Sequence, residues 1–160
     1  MSKDQLFSYL ERNEKELMNF LKSLIRIKSE NGGIDVPGSK EKEIQEFLAG
    51  YLEKEGFQVD MFAGNEEGDR FNVVAVLPGK KQHDGNNIIL NSHTDTVLVP
   101  EREKWNVDPF GGEEIDGKIY GRGANDMKGG LAASVFAAKA IKDSKIELDG
   151  DVILMLSCGE

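Results

Sequence analysis

Apolar and polar positions along the chain switch between a helical period and an extended one. Over residues 2–27, Leu6, Leu10, Leu17, Leu21 and Leu24 fall on one helical face, flanked by Phe7, Met18 and Ile25. Ser2 and Gln5 have the spacing of a capping box. Residues 28–38 read as a loop, because Asn31-Gly32-Gly33 and Pro37-Gly38 break any period. A second helix is capped by Ser39 and ended by Gly56, with Ile44, Phe47, Leu48, Tyr51 and Leu52 making its apolar stripe.

Phe57, Val59 and Met61 then alternate with polar residues, the period of a half-buried strand. Phe71 to Leu77 is a denser strand stopped by Pro78-Gly79. Ile88 to Leu90 and Val152 to Leu156 are short, fully apolar runs, and they predict strands buried on both faces. Glu114 to Tyr120 predicts a hairpin turning at Asp116-Gly117. Val99 to Gly112 has no period, and Trp105, Pro109 and Phe110 are expected to anchor that loop. Leu131 to Lys142 predicts a helix with a close-packing face of Leu131, Val135, Ala138 and Ile141. Strands alternating with helices imply an α/β sandwich with a partly parallel sheet. The sequence shows no repeat, low-complexity stretch or linker that would mark a second unit.

Composition narrows the function classes. A chain of 160 residues is long enough for one domain with a real core. Twenty basic against 29 acidic residues give a net charge of −9. That balance argues against a nucleic-acid partner and suits cation binding wherever carboxylates converge. The first apolar residues, Leu6, Phe7 and Leu10, are flanked closely by charges, unlike a signal peptide. No apolar run approaches the ~20 residues of a membrane span. The single cysteine, Cys158, excludes an internal disulfide and fits a reducing, cytoplasmic setting. Its thiol reads as packing at a strand end rather than as a redox or metal group.

Three places carry candidate chemistry. The Ile88 to Leu90 strand runs into Asn91-Ser92-His93-Thr94-Asp95. His93 and Asp95 leave an extended chain on the same side, so the carboxylate can fix the imidazole tautomer, as a partner does for a metal-bound histidine. His93 is read as a zinc ligand and Asp95 as its orienting partner; a histidine that simply caps a strand end is the other reading. His83 lies in a charged, glycine-bearing loop and reads as solvated.

Asp126 sits in the glycine-rich stretch Gly121 to Gly130, ahead of a helix N-terminus. It reads as a metal ligand, as part of a phosphate cradle, or as a turn residue. The spacing matches neither the Walker nor the dinucleotide pattern. Lys128 and Arg122 in the same stretch face an acidic substrate, stand in solvent or brace the loop. Glu160 follows an apolar strand as His93 does and is a candidate general base.

Taken together, Ser92-His93-Thr94-Asp95-Thr96-Val97, Trp105 to Phe110, and Asp116-Gly117-Lys118-Ile119-Tyr120-Gly121-Arg122-Gly123-Ala124-Asn125-Asp126-Met127-Lys128-Gly129-Gly130 resemble a known series. Order and spacing are similar to those of the acetylornithine deacetylase / succinyl-diaminopimelate desuccinylase family of zinc metallopeptidases. Leu24 to Ser29 shares the likeness. The resemblance implies a three-layer α/β sandwich with a mixed, partly parallel sheet, and it implies that residues 1–160 are the amino-terminal part of the catalytic domain. It makes His93 a ligand of one metal, Asp95 the aspartate that orients it, Asp126 a bridge between two zinc ions, and Glu160 the general acid/base, with a cis peptide at Asp126-Met127. Cobalt is a substitute metal in such sites.

The implied reaction is hydrolysis of the amide bond of an N-acyl amino acid or small peptide, with a homodimer as the full-length form. The second glutamate of the family's pair, the later Asp and His ligands and the lid or dimerisation domain have no counterpart in these residues. The chain alone is therefore expected to hold zinc weakly and to be inactive. The competing readings are a non-catalytic interaction module and a phosphate-binding protein using Gly121 to Gly130.

Overall fold

A computed structural model describes residues 3–31, 41–66, 68–81 and 86–159. The predicted caps Ser2 and Ser39, the loop residue His83 and the candidate base Glu160 lie outside the described residues.

The amino-terminal apolar stripe forms two helices rather than one: α1 (Lys3–Arg12) and α2 (Glu14–Arg26). The break falls at Asn13, whose Nδ2 donates to Tyr9 O at 2.8 Å. Asparagine competes in this way with the helical backbone for hydrogen bonds. Helix α3 (Glu41–Lys54) ends where expected. Gly56 takes φ +82°, Phe57 N bonds Leu52 O at 3.1 Å and Gly56 N bonds Glu53 O at 2.9 Å, a left-handed glycine stop.

Strands β1 (Gln58–Ala63), β2 (Phe71–Leu77), β3 (Ile88–His93) and β6 (Val152–Ser157) form one sheet in the order β1-β2-β6-β3. β1 and β6 run antiparallel to β2, while β3 is parallel to β6. The sheet is therefore mixed and partly parallel, and the fold is α/β, as the sequence implies. Strands β4 (Glu113–Ile115) and β5 (Lys118–Tyr120) make the separate hairpin. Its turn residues Asp116 and Gly117 both have positive φ, 51° and 72°, as a type I′ turn demands. Helix α4 (Gly129–Asp143) follows a π-type turn at Ala124–Lys128. None of the described helices is long and apolar enough to cross a membrane.

The core lies between the helices and one face of the sheet. Val73, Ala75, Val152, Leu154 and Leu156 point into it, against Leu24 and Ile25 of α2, Ile44, Leu48 and Leu52 of α3, and Leu131, Val135 and Phe136 of α4. The described residues thus supply the sheet and one helical layer.

Two strand expectations are corrected. Ile88 and Ile89 are 58% and 56% exposed, not buried on both faces. β3 is the edge of the sheet, and Ile89 lies on the face that no described helix covers. In β6 the burial alternates, and Met155 is exposed between buried Leu154 and Leu156. An all-apolar sequence hid a two-residue period.

Candidate metal centre

β3 and β6 are parallel, so their carboxyl ends finish side by side, with His93 opposite Ser157. Ligands in open α/β sheets bind beyond such strand ends. His93 presents both ring nitrogens to carboxylates. Nδ1 lies 3.1 Å from Asp95 Oδ1, and Nε2 lies 3.1 Å from Asp126 Oδ1. Burial alone would lower the imidazole pKa. Hydrogen bonding to Asp126 and Asp95, with their charges, outweighs it and raises the pKa above the ordinary value.

The His93 side chain is 14% exposed, whereas that of Asp126 is 78% exposed. The imidazole is thus held within the wall while Asp126 projects from the loop. The Asp126-Met127 peptide is cis, as the family resemblance implied. Gly123 starts this loop at φ +76°, and Lys128 N closes it on Gly123 O at 2.9 Å.

Beneath the rim the strand ends are stitched by buried polar groups. Ser29 Oγ donates to Thr94 O at 2.6 Å, Thr96 N to Ser29 O at 2.9 Å, and Thr94 N to Ser157 O at 3.0 Å. A cavity of about 210 Å³ opens among His93, Asp95, Thr96, Arg122 and Asp126. It is smaller than the roughly 300–1,000 Å³ of a small-molecule pocket.

Zinc takes three protein ligands in catalytic sites and four in structural ones. His93 Nε2 and Asp126 fit two of those positions, and Asp95 on Nδ1 supplies the carboxylate–histidine arrangement seen behind metal-bound imidazoles. Among the described residues no group of three such side chains converges on one point. The donor set therefore fits one side of a metal site and is incomplete as a cage.

The remaining candidates sort differently. Lys128 does not face a substrate: it is 1% exposed, and its Nζ donates to Leu24 O at 2.8 Å and Ile27 O at 2.9 Å. Burial lowers its pKa to about 8 against the opposing charge of Glu30. Arg122 braces the loop, its guanidinium 5.2 Å from the Trp105 ring centroid and Nη2 donating to Leu98 O at 3.3 Å. Burial raises the Cys158 thiol pKa, aided by the charge of Glu41, in keeping with a packing role rather than a reactive one.

Sequence reasoning missed the polar residues behind the rim: Asn31, Glu41, Gln45 and Arg70. Glu41 and Gln45 carried a signal, since both fall on the stripe that Leu48 and Leu52 continue.

Comparison with known proteins bears on the fold and family. Residues 89–160 match the family model described as peptidase family M20/M25/M40. The chain is 40% identical over 155 residues to N-formyl-4-amino-5-aminomethyl-2-methylpyrimidine deformylase of Bacillus subtilis, covering 94% of this chain and 34% of that protein. It is 43% identical over 76 residues to succinyl-diaminopimelate desuccinylase of Rhodospirillum centenum, covering 48% of this chain and 20% of that one. Among solved structures it superposes on an M20 family metallo-carboxypeptidase from Sulfolobus solfataricus with TM-score 0.73 and 27% identity, over 89% of this chain and 30% of that one.

The fold is that of an M20-type peptidase catalytic domain. The chain belongs to peptidase family M20/M25/M40, and it spans about a third or less of the length of curated relatives that it matches.

Proposed function

We propose that this chain is the amino-terminal part of the catalytic domain of a dizinc hydrolase that cleaves the amide bond of an N-acyl amino acid or small peptide. The observation that carries the reading is the single imidazole held 3.1 Å from Asp95 on one nitrogen and 3.1 Å from Asp126 on the other. Relatives named as a deformylase and as desuccinylases support an acyl–nitrogen bond as the target.

His93 would hold one metal through Nε2, and Asp126 would reach both. Zinc, or cobalt in its place, supplies carbonyl polarisation and lowers the pKa of water toward ~7. Asp95 keeps the proton on Nδ1 of His93, so that Nε2 offers its lone pair. Glu160 takes a proton from the attacking water and returns it to the departing amine. The products are a carboxylate and a free amine. The complete protein is proposed as a homodimer acting in the cytoplasm, the latter in keeping with the single unpaired cysteine of this chain.

The test compares metal content and hydrolysis of N-formyl, N-acetyl and N-succinyl amines by this chain and by the full product of its gene. Hydrolysis by the full product that is lost on chelation and in His93→Ala and Asp126→Asn supports the reading. Hydrolysis indifferent to chelator and to both substitutions overturns it.

A further inference from the structure

Helix α3 reaches the rim from the core side. Its inward stripe carries apolar Ile44, Leu48 and Leu52, yet Glu41 and Gln45 fall on the same stripe and both are 0% exposed. A buried carboxylate is costly unless it is paired, so its contacts show what it holds.

Gln45 Nε2 donates to Thr94 Oγ1 at 2.9 Å and to Leu156 O at 3.2 Å, tying the ends of β3 and β6 together. Glu41 Oε1 accepts from Gly159 N at 2.8 Å. Its Oε2 makes no hydrogen bond among the described residues and lies 3.6 Å from Arg70 Nε. Arg70 Nη2 donates to Asn31 Oδ1 at 2.9 Å, and Asn31 Nδ2 stands 3.5 Å from Asp95 Oδ2.

The backbone at Gly159 has φ +70°, and a Cβ there would lie 3.3 Å from Arg70 Nη1. One ion pair therefore borders the exit of β6 and reaches, through Asn31, the carboxylate beside His93.

We propose that Glu41, through its ion pair with Arg70, is the positioning residue of the rim: it fixes the backbone at Gly159 on one side and, by way of Arg70 and Asn31, the Asp95 carboxylate on the other. The proposal rests on the metal-hydrolase reading of the site. Glu41 touches neither His93 nor Asp126 and acts only through its neighbours. The family motifs quoted above lie outside α3.

The test uses Glu41→Gln, which keeps shape and an acceptor for Gly159 N but removes the charge, Arg70→Met, and the double variant. Co2+ alone is the probe, titrated into the full product of the gene, parent and variants alike, below the unfolding temperature of every variant. Each single substitution is expected to weaken Co2+ binding by about tenfold or more. The double variant is expected to be no worse than the poorer single, because the two residues act as a unit.

Binding within about twofold of the parent in both single variants, whatever happens to the melting temperature, overturns the proposal. His93→Ala is the control for the reading beneath it. Should the parent bind no Co2+, or bind it regardless of His93, that reading fails. Amide hydrogen exchange without metal then decides the proposal alone. Faster exchange at Asp95 and Gly159 but not across β2 supports it, and unchanged exchange at those two amides overturns it.

Discussion

His93 Nε2 and Asp126 Oδ1 meet at 3.1 Å across 33 residues of sequence, one at the end of a strand and the other in a glycine-opened loop. Without metal this is an imidazole between two carboxylates, and its folded pKa is raised. A raised histidine pKa means that the folded state holds the proton more tightly than the unfolded one. The resulting stabilisation is fully present below the unfolded value of about 6.5 and is lost as pH rises through the folded value. NMR titration of the metal-free chain is expected to place His93 above that value, and Asp126→Asn to bring it down. A His93 pKa below about 6.5 would show that burial wins over the carboxylates.

Lys128 is a brace rather than a substrate contact. Its Nζ caps the carbonyls of Leu24 and Ile27 at the end of α2, and so ties that helix to the Asp126 loop. Lys128→Met keeps most of the volume and leaves those carbonyls without their donor, at roughly 1–3 kcal/mol for each buried group left unpaired. Urea unfolding of the variant is expected to show a loss in that range. A loss below about 0.5 kcal/mol, the size of an ordinary surface change, would count against the brace.

Neighbouring strands offer a contrast between the two faces of the sheet. Leu154 is 0% exposed in the core, whereas Ile89 is 56% exposed on the uncovered face. Leu154→Ala is expected to cost about 2–5 kcal/mol. Ile89→Lys is expected to stay within about 0.5 kcal/mol of the parent and to raise solubility, because a lysine on an edge strand blocks edge pairing. Denaturant midpoints and the concentration at which the chain precipitates measure the two effects.

Gly123 is needed where it stands. Its φ is +76°, and a Cβ would come 2.5 Å from Thr96 Cγ2. Gly123→Ala is expected to destabilise by more than about 1 kcal/mol, through both the left-handed backbone and the contact. Chemical denaturation measures the loss. An unchanged midpoint would mean that the loop has another route through this position.

How much of this was legible in the sequence depended on where the deciding contacts lie. The Asp116-Gly117 turn, the Gly56 stop and the α4 face are set by neighbours within a few residues, and each appears as the pattern predicts. The exposure of Ile88 and Ile89 is set by which strand lies beside them, and no local period contains that information. The polar pair Glu41 and Gln45 lay in plain view on an apolar stripe, but the partners that explain it, Thr94, Gly159 and Arg70, are distant in the chain. His93 and Asp95 could be paired from their two-residue spacing; their meeting with Asp126 depends on the Gly123 turn and the brace at Lys128.

The backbone at Gly159 is pinned beside Glu41 and Arg70. Any polypeptide attached behind it leaves from beside that ion pair. An affinity handle fused to the carboxyl end, above all one built of histidines, would bring competing imidazoles to that doorstep and distort every zinc measurement. The amino end is the sound place for such a handle, since Tyr9 of α1 bonds Asp143, at the end of α4 away from the Asp126 loop.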